Sequence, residues 1–267
     1  MSDDQAKELS SFRINGYQIF ENVIPHEIIQ EINSFLSSKI LATLEIAKSE
    51  IKCKSVSDLI DYSESFGSKG VSLLSTTTKQ VLSGHFSLDT RLSQTLWKIP
   101  LSVDFQKIVR LLLGSDEIFM HMPPTARFVL PGNTQAAVPP HQDISYNRHM
   151  SNFVTVWVPL IEITEKCGGV IVFPGNNVEE VSQTGNTGSS FWQDAVPTNE
   201  MESVHCLMKE GSILALNKYT IHKSATNLSH DIRISIDFRF FGKGDSSAKH
   251  FLDLKTLKVC GPDEDLM

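Results

Sequence analysis

The chain has 267 residues, a formal net charge of −7 and a pI of about 5.7. This acidic balance argues against a nucleic-acid or anionic-membrane partner, although a local basic patch can still bind an anionic small molecule. No segment has the roughly 18 apolar residues of a membrane span, and the polar N-terminus has no apolar signal core, so we expect a cytoplasmic protein.

The cysteine pattern adds a second exclusion. No pair of cysteines has C-x-x-C spacing, which argues against a disulfide framework and against a thiolate zinc site. The four cysteines are Cys53, Cys167, Cys206 and Cys260.

The first part of the chain is predicted to be mainly helical. Residues 4–14 form a short helix, Asn15-Gly16 marks a turn, and residues 17–20 form a short strand. Pro25 suits the first turn of a long helix, whose apolar residues recur at i, i+3 and i+4. They are Ile28, Ile29, Ile32, Phe35, Leu36, Ile40 and Leu44. We expect this helix to cover one face of a later sheet. A further helix over residues 102–113 ends at Gly114.

Residues 51–100 show no persistent period and no strong indication of secondary structure. Within them, residues 83–91 are polar and are predicted to form a loop. Two interpretations stay open for this loop. It supplies His85 or Arg91 to a substrate, or it is simply solvated.

From residue 117 the pattern changes to short runs of β-branched and aromatic residues that Pro and Gly separate. Such runs predict a β-sandwich or barrel-like roll, and the order of helices first and strands later predicts the α+β class. The predicted strands cover residues 118–122, 126–130, 153–158, 170–173, 212–216 and 232–241. The long polar segment 176–200 is interpreted as a lid, a binding loop or a locally disordered segment.

We expect one domain over residues 1–267. Its predicted parts are mainly helical support over 1–115, the roll over 116–245 and a C-terminal tail over 246–267.

The last predicted strand alternates strictly between apolar and polar residues. Its apolar residues would by default face the core and its polar residues the solvent. If helices cover the outer face of the roll, the assignment inverts and the polar residues line an interior cup. Arg233 would then point into the cup near His222, where a buried guanidinium requires an anionic partner.

The sequence His141-Gln142-Asp143 offers two metal ligands. Side chains at i and i+2 of a strand point to the same side, so His141 and Asp143 can hold one ion together. His222 is the candidate for a third ligand. Two histidines and one carboxylate on one side of a metal form the facial triad of non-haem Fe(II) oxygenases.

Several motifs occur in an order that resembles the phytanoyl-CoA dioxygenase family of Fe(II)- and 2-oxoglutarate-dependent oxygenases. Arg233 follows His222 by eleven residues, as the family pattern expects. The resemblance covers about residues 12–25 and 117–241, whereas residues 51–100 and 176–205 match poorly. The motifs are Asn15-Gly16-Tyr17, Val23-Ile24-Pro25, His141-Gln142-Asp143, the segment from Trp157 to Pro174-Gly175, and His222-x-Ser224 with Asn227, Ser229 and Arg233.

The resemblance implies a double-stranded β-helix, or cupin-like jelly roll, with the N-terminal helices packed on one sheet. It implies that His141, Asp143 and His222 bind Fe(II). It also implies that 2-oxoglutarate chelates the iron and that its far carboxylate pairs with Arg233.

Other site residues have two interpretations each. Ser224 adds a hydrogen bond to the far carboxylate of 2-oxoglutarate, or is a turn residue. Trp157 packs against 2-oxoglutarate, or is simply core. Arg127 aims at an anionic group of 2-oxoglutarate or substrate, or forms a surface ion pair. His85 and Tyr146 are the other predicted substrate contacts.

The implied reaction consumes O2 and 2-oxoglutarate, releases succinate and CO2, and most simply hydroxylates a C–H bond of a small metabolite or natural-product intermediate. Halogenating relatives replace the carboxylate ligand with a small residue, so Asp143 argues against halogenation. Desaturation, cyclisation and oxidative dealkylation stay open.

Two other classes of function compete with this interpretation. One is a cupin-like metal protein that does not use 2-oxoglutarate, against which Arg233 argues. The other is a non-catalytic binding module that kept the fold, against which the intact triad argues. The sequence carries no indication of an oligomeric state.

Overall fold

The computed structural model describes residues 3–175, 177–182, 185–186, 191–192, 194–198 and 200–262. Within these ranges the chain forms six α-helices before the first long strands. They are α1 (Asp3–Asn15), α2 (His26–Ile51), α3 (Val56–Ser72), α4 (Thr76–Ser83), α5 (Leu88–Arg91) and α6 (Val103–Leu113). The long helix, the helix before Gly114 and the short helix at the start agree with the predictions, and Pro25 immediately precedes α2 at its N-cap position.

Thirteen strands lie in the same described ranges. They are β1 (Tyr17–Phe20), β2 (Ile118–His121), β3 (Thr125–Val129), β4 (Phe153–Pro159), β5 (Gly169–Phe173), β6 (Gly185–Asn186), β7 (Asp194–Ala195), β8 (Val204–His205), β9 (Ile213–Asn217), β10 (Ile221–Ala225), β11 (Arg233–Gly242), β12 (Phe251–Asp253) and β13 (Val259–Cys260). All six strands predicted after residue 117 are present, with their ends shifted by a residue or two.

Two antiparallel sheets face each other as a jelly roll. The larger sheet has the order β1-β9-β4-β11-β2-β12-β13, and β3 pairs with the first half of β11 on the side where β2 pairs with the second half. The smaller sheet has the order β10-β5-β8. An apolar cluster that includes Trp157, Val172 and Leu214 fills part of the space between the sheets. The predicted α+β jelly roll is confirmed.

The helices pack on the outer face of the larger sheet. Ile32, Leu36 and Ile40 of α2 belong to the same buried cluster as the even-numbered residues of β11. Phe105 of α6 packs edge-to-face on Phe238 and Phe240, with ring centroids 6.1 and 5.5 Å apart. Burying this face against helices turns the odd-numbered, polar face of β11 inward, so the predicted inversion is confirmed.

The segment 51–100, in which the sequence shows no persistent period, is largely helical. Ser55 begins α3 with a capping box, in which its hydroxyl accepts from the Asp58 N–H and the Asp58 carboxylate accepts from the Ser55 N–H. Ser75 caps α4 in a similar way through Thr78. These caps are visible in the sequence, but α4 is short, and Ser and Gly residues interrupt the apolar positions of the 17-residue α3.

The region expected to form the C-terminal tail contains two short strands. Residues 251–253 and 259–260 add β12 and β13 to the edge of the larger sheet. Phe251 and Leu252 are fully buried there. Part of the polar segment 176–200, including most of residues 183–190, lies outside the described residues, and the described part contains the two-stranded pair β6–β7.

Candidate active site

A cavity of about 350 Å³ opens between the two sheets at one end of the roll. Four polar side chains of β11 line it, at alternate positions along the strand: Arg233, Ser235, Asp237 and Arg239. The β3 residue Arg127 lies opposite Ser235 in the sheet, and Trp157 of β4 lies opposite Asp237. Since cross-strand partners share a face, β3, β4 and β11 together form the floor of the cavity.

The three predicted metal ligands come together at this cavity. His141 and His222 pair as an isolated β-bridge, through two backbone hydrogen bonds of 2.9 and 3.0 Å. Ligand atoms of these two histidines and of Asp143 all lie within 4.8 Å of one another. His222 Nε2 is 4.0 Å from Asp143 Oδ2. All three side chains are buried.

The local structure around Asp143 differs from the prediction of a strand. Only His141 is paired, and Asp143 begins a short 3-10 helix that ends at Tyr146. Gln142 between them is nevertheless extended, with φ −119° and ψ 139°. One extended residue is sufficient to bring the side chains of His141 and Asp143 to the same side, so the expected arrangement forms without a strand.

Backbone carbonyls orient both imidazoles. His141 Nδ1 donates to the Pro139 carbonyl over 2.8 Å, and His222 Nδ1 donates to the Thr220 carbonyl over 2.9 Å. A carbonyl accepts only, so each Nδ1 carries the proton and each Nε2 keeps a lone pair. Burial, followed by the effect of His222, lowers the pKa of His141 to about 3. The His141 ring is therefore neutral and able to act as a ligand.

The two carboxylate oxygens of Asp143 have different surroundings. Oδ1 accepts from Arg239 Nη2 over 2.6 Å, whereas Oδ2 is buried and has no hydrogen-bond partner among the described residues. Burial would raise the pKa of Asp143, but the charge of the adjacent Arg239 guanidinium is the main opposing effect, and the pKa stays below its ordinary value. Asp143 therefore presents one charged, unpartnered oxygen beside two imidazole lone pairs.

A divalent metal fits this donor set. A buried carboxylate oxygen without a partner is unfavourable unless something satisfies it. A cation between Asp143 Oδ2 and the two Nε2 atoms would do so. Two imidazole nitrogens and one carboxylate oxygen on one side of the ion are the ligands typical of non-haem Fe(II).

The Thr220 carbonyl, which orients His222, is itself held in place by a close approach of Gly16. The Gly16 carbonyl accepts from Thr220 Oγ1 over 2.6 Å and from the Asn217 N–H over 2.8 Å. Gly16 has a φ of +80°, and a Cβ there would overlap Asn177 Cβ at 2.6 Å. Glycine at residue 16 thus allows the chain to hold Thr220, whose carbonyl in turn orients His222.

Arg233 lies on the cavity floor, as the alternation of apolar and polar residues in β11 predicts. It is buried, and its Nε has no hydrogen-bond partner among the residues that the structure describes. Its guanidinium carbon is 5.9 Å from the centroid of the Trp157 ring. Burial lowers the pKa of Arg233 to about 10, with Asp237 opposing the shift, so the side chain is charged at neutral pH. A bidentate carboxylate would satisfy it.

The other predicted residues also reach the cavity. Ser224 lies in β10 and not in a turn. Trp157 is both part of an apolar cluster and a lining residue. Arg127 is buried, so its predicted alternative as a surface ion pair is wrong. His85 lines the cavity too, together with the half-exposed Tyr146.

Two residues of the site had no predicted role. Arg239, on the predicted inward face of β11, contacts Asp143, and the alternation was the signal that could have identified it. Gln142 points away from the triad. Its amide donates to the Glu179 and Tyr219 carbonyls, and its oxygen accepts from the Val181 N–H over 2.7 Å. It therefore links the triad to the chain around residue 180.

Taken together, the fold and the site define a jelly-roll protein with a His-Asp-His cluster whose donor set fits a metal ion and a buried arginine in one cavity. The family model of phytanoyl-CoA dioxygenase (PhyH) matches residues 12–235. The chain belongs to this family.

Solved structures of similar fold are non-heme enzymes. ThoJ, a non-heme monooxygenase, has a TM-score of 0.63 at 13% identity, covering 99% of this chain and 90% of ThoJ. SnoN, an epimerase solved with Fe3+, alpha-ketoglutarate and nogalamycin RO, has a TM-score of 0.59 at 14% identity, covering 91% and 86%. SnoK, an alpha-ketoglutarate-dependent carbocyclase, has a TM-score of 0.53 at 12% identity, covering 92% and 86%.

The family membership and the triad geometry support a non-haem Fe(II) oxygenase that uses 2-oxoglutarate and O2. None of the described helices combines the length and the apolar character that crossing a membrane requires.

Proposed function

We propose that this protein is a 2-oxoglutarate-dependent dioxygenase that oxidises a C–H bond of a small molecule, most simply by hydroxylation. The observation that carries the proposal is the set of unsatisfied groups in one cavity. Two Nε2 lone pairs and Asp143 Oδ2 converge at one end, and the Arg233 guanidinium lies on the same floor. The two lone pairs and Asp143 Oδ2 fit a cation, and the Arg233 guanidinium fits a carboxylate.

His141, Asp143 and His222 would hold Fe(II) on one side and leave its other positions open. Arg233 would pair with the far carboxylate of 2-oxoglutarate, Ser224 would add a hydrogen bond, and the Trp157 ring would pack against the chain of the co-substrate. Iron held in this way would supply the oxidising power together with O2 and 2-oxoglutarate, which would be converted to succinate and CO2.

The contribution of the protein is orientation and exclusion of water. The carbonyls of Pro139 and Thr220 hold the imidazoles, and Arg239 holds Asp143 by the oxygen that faces away from the other ligands. The apolar cluster around Trp157 shields one side of the cavity. Arg127, His85 and Tyr146, which line the rest, would contact the substrate.

Desaturation, cyclisation and oxidative dealkylation are the alternative outcomes at the same site. The fold similarity to an epimerase and to a carbocyclase supports keeping these alternatives, because similar folds are used for reactions other than hydroxylation. The outcome is decided by which substrate atoms lie near the iron, so product analysis separates these reactions.

Anaerobic titration tests the proposal. The metal-free protein is titrated with Fe(II), and 2-oxoglutarate is then added. We expect the weak visible charge-transfer band of the chelate in the wild type and its loss in His222→Ala. The exposed His230 provides the matched control, since His230→Ala should keep the band.

Two results would contradict the proposal in different ways. If Fe(II) binds but no band forms, the protein is a cupin-like metal protein that does not use 2-oxoglutarate. If Fe(II) does not bind, the protein is a non-catalytic module that kept the fold.

A further inference from the structure

A second polar cluster lines the same cavity, and the assignment of iron and 2-oxoglutarate does not use it. It consists of His85, Arg91, Arg127 and Trp192. The guanidinium carbon of Arg127 is 5.4 Å from the Trp192 ring centroid, and the His85 ring is 6.0 Å from the same ring. His85 also pairs with Arg127 as an isolated β-bridge. The cluster therefore joins the chain before α5 to the cavity floor.

Neither arginine of this cluster is neutralised by the described part of the chain. Arg127 Nη2 donates to the carbonyls of Ser83 and Ala136, over 2.9 and 2.5 Å, which holds the side chain but supplies no negative charge. The Nε atoms of Arg127 and Arg91 are buried without a hydrogen-bond partner among the described residues. Within the described residues neither arginine has an acidic partner within 4.0 Å.

The nearest titratable groups do not balance these charges. Burial, followed by the charges of Arg127 and Arg91, lowers the pKa of His85 to about 3, so His85 is neutral. Asp237 raises the pKa of three arginines, Arg127, Arg233 and Arg239, and a single carboxylate does not balance all of them. Asp143 is engaged by Arg239. Two buried or half-buried cations thus face the cavity in excess, and such charges require an anionic partner.

We infer that the substrate is a small anion, and that Arg91 and Arg127 bind its carboxylate or phosphate beside the Trp192 ring. This inference rests on the proposed function, because Arg233 is taken to serve the far carboxylate of 2-oxoglutarate. Guanidinium groups bind both kinds of oxyanion through paired hydrogen bonds. The anchored anion would fix which carbon of the substrate lies near the iron, so Arg91 and Arg127 are specificity-determining residues.

The test uses benzoate, phenyl phosphate and uncharged benzamide as probes. Each is titrated by calorimetry into the anaerobic protein saturated with Fe(II) and 2-oxoglutarate. We expect both anions to bind at least about tenfold more tightly than benzamide, because a charge-assisted hydrogen bond is lost in the amide. The tighter anion identifies whether the site prefers a carboxylate or a phosphate.

Variants assign the binding to the cluster. Arg91→Gln should weaken both anions by about tenfold, and Arg91→Lys should restore part of the loss. Arg127→Lys keeps the positive charge but cannot hold two carbonyls and an oxyanion with the same geometry, so it should also weaken both anions. The matched control is Arg110→Gln, on the surface of α6, which should bind the anions like the wild type.

Three results would overturn the inference. The anions bind no more tightly than benzamide, the Arg91 and Arg127 variants bind them unchanged, or these variants weaken 2-oxoglutarate instead. The last result would assign the two arginines to the co-substrate. Failure of the proposed function is distinguishable, since the wild type would then form no 2-oxoglutarate complex before any probe is added.

Discussion

Arg239 donates to Oδ1 of Asp143 over 2.6 Å, and only Oδ2 of the carboxylate is left facing the two histidines. Both side chains are largely buried, and Asp143 and Asp237 raise the pKa of Arg239 against the opposing effect of burial. The guanidinium therefore keeps Asp143 charged and fixes its orientation. This contact makes Arg239 a positioning residue for the proposed metal site.

Removing this contact should weaken metal binding. We expect Arg239→Gln to reduce the affinity for Fe(II) by about 10- to 100-fold, the range typical of residues that orient a metal ligand. Arg239→Lys, which keeps the charge, should lose less. Anaerobic Fe(II) titration measures the affinity. The control is Arg148→Gln, which breaks an exposed ion pair with Glu180. An unchanged Fe(II) affinity in Arg239→Gln would show that Arg239 is not required to orient Asp143 for metal binding.

Arg233 should determine the affinity for 2-oxoglutarate. We expect Arg233→Ala to raise the concentration of 2-oxoglutarate required for half-maximal succinate release by tenfold or more, because the far carboxylate would lose a charge-assisted pair of hydrogen bonds. The Fe(II) affinity should stay unchanged, which separates this effect from loss of the metal site. An unchanged requirement for 2-oxoglutarate would remove the assigned role of Arg233.

Asp143 should be essential for turnover. Asp143→Ala is expected to abolish succinate release, since it removes the carboxylate ligand and leaves Arg239 buried without its partner. Circular dichroism should confirm that the variant is folded. Normal turnover in a folded Asp143→Ala protein would disprove the proposed triad.

His121 should make stability depend on pH. Burial, followed by Lys249, Arg239 and His149, lowers the pKa of this buried side chain from 6.5 to about 3. Between these values the unfolded chain binds the proton and the folded chain does not. The free energy of unfolding should therefore be largest above pH 6.5 and fall as the pH is lowered toward 3, by up to about 1.4 kcal/mol per pH unit from this one group.

Urea unfolding at several pH values between 7 and 5 measures this slope. We expect a shallower slope in His121→Gln than in the wild type. The same substitution at the exposed His230 shows the effect of losing a histidine at the surface. Equal slopes for the wild type and His121→Gln would show that His121 does not contribute.

Phe105 should stabilise the contact between α6 and the larger sheet. It is fully buried and packs on Phe238 and Phe240. We expect Phe105→Ala to lower the free energy of unfolding by about 3–5 kcal/mol, as measured by urea unfolding. The control Leu41→Ala, on the exposed side of α2, should cost much less. A small effect of Phe105→Ala would contradict the packing that turns the polar face of β11 inward.

Much of the fold was predictable because its signals are local. The apolar stripe of α2 and the alternation of β11 each depend on neighbours within a few residues, and both patterns match the structure. The helices α3 to α5 were not predicted. The helices α4 and α5 are too short to show a period, and in the 17 residues of α3 several Ser and Gly residues, which have low helix propensity, interrupt the apolar positions. The strand β12 was missed because its pairing partner, β2, lies at least 130 residues earlier in the chain, and β13 pairs in turn with β12.

The sequence by itself predicted His141, Asp143, His222 and Arg233 as site residues, because a His-x-Asp pair, a distal histidine and an arginine at a set spacing can be recognised in one dimension. Only the tertiary structure decided which oxygen of Asp143 is left unpartnered, that Arg239 holds the other oxygen, and that Arg91 and Arg127 face the same cavity without an acidic partner in the described chain. These properties are distances and burial between segments far apart in sequence, and side-chain type alone carries no information about either.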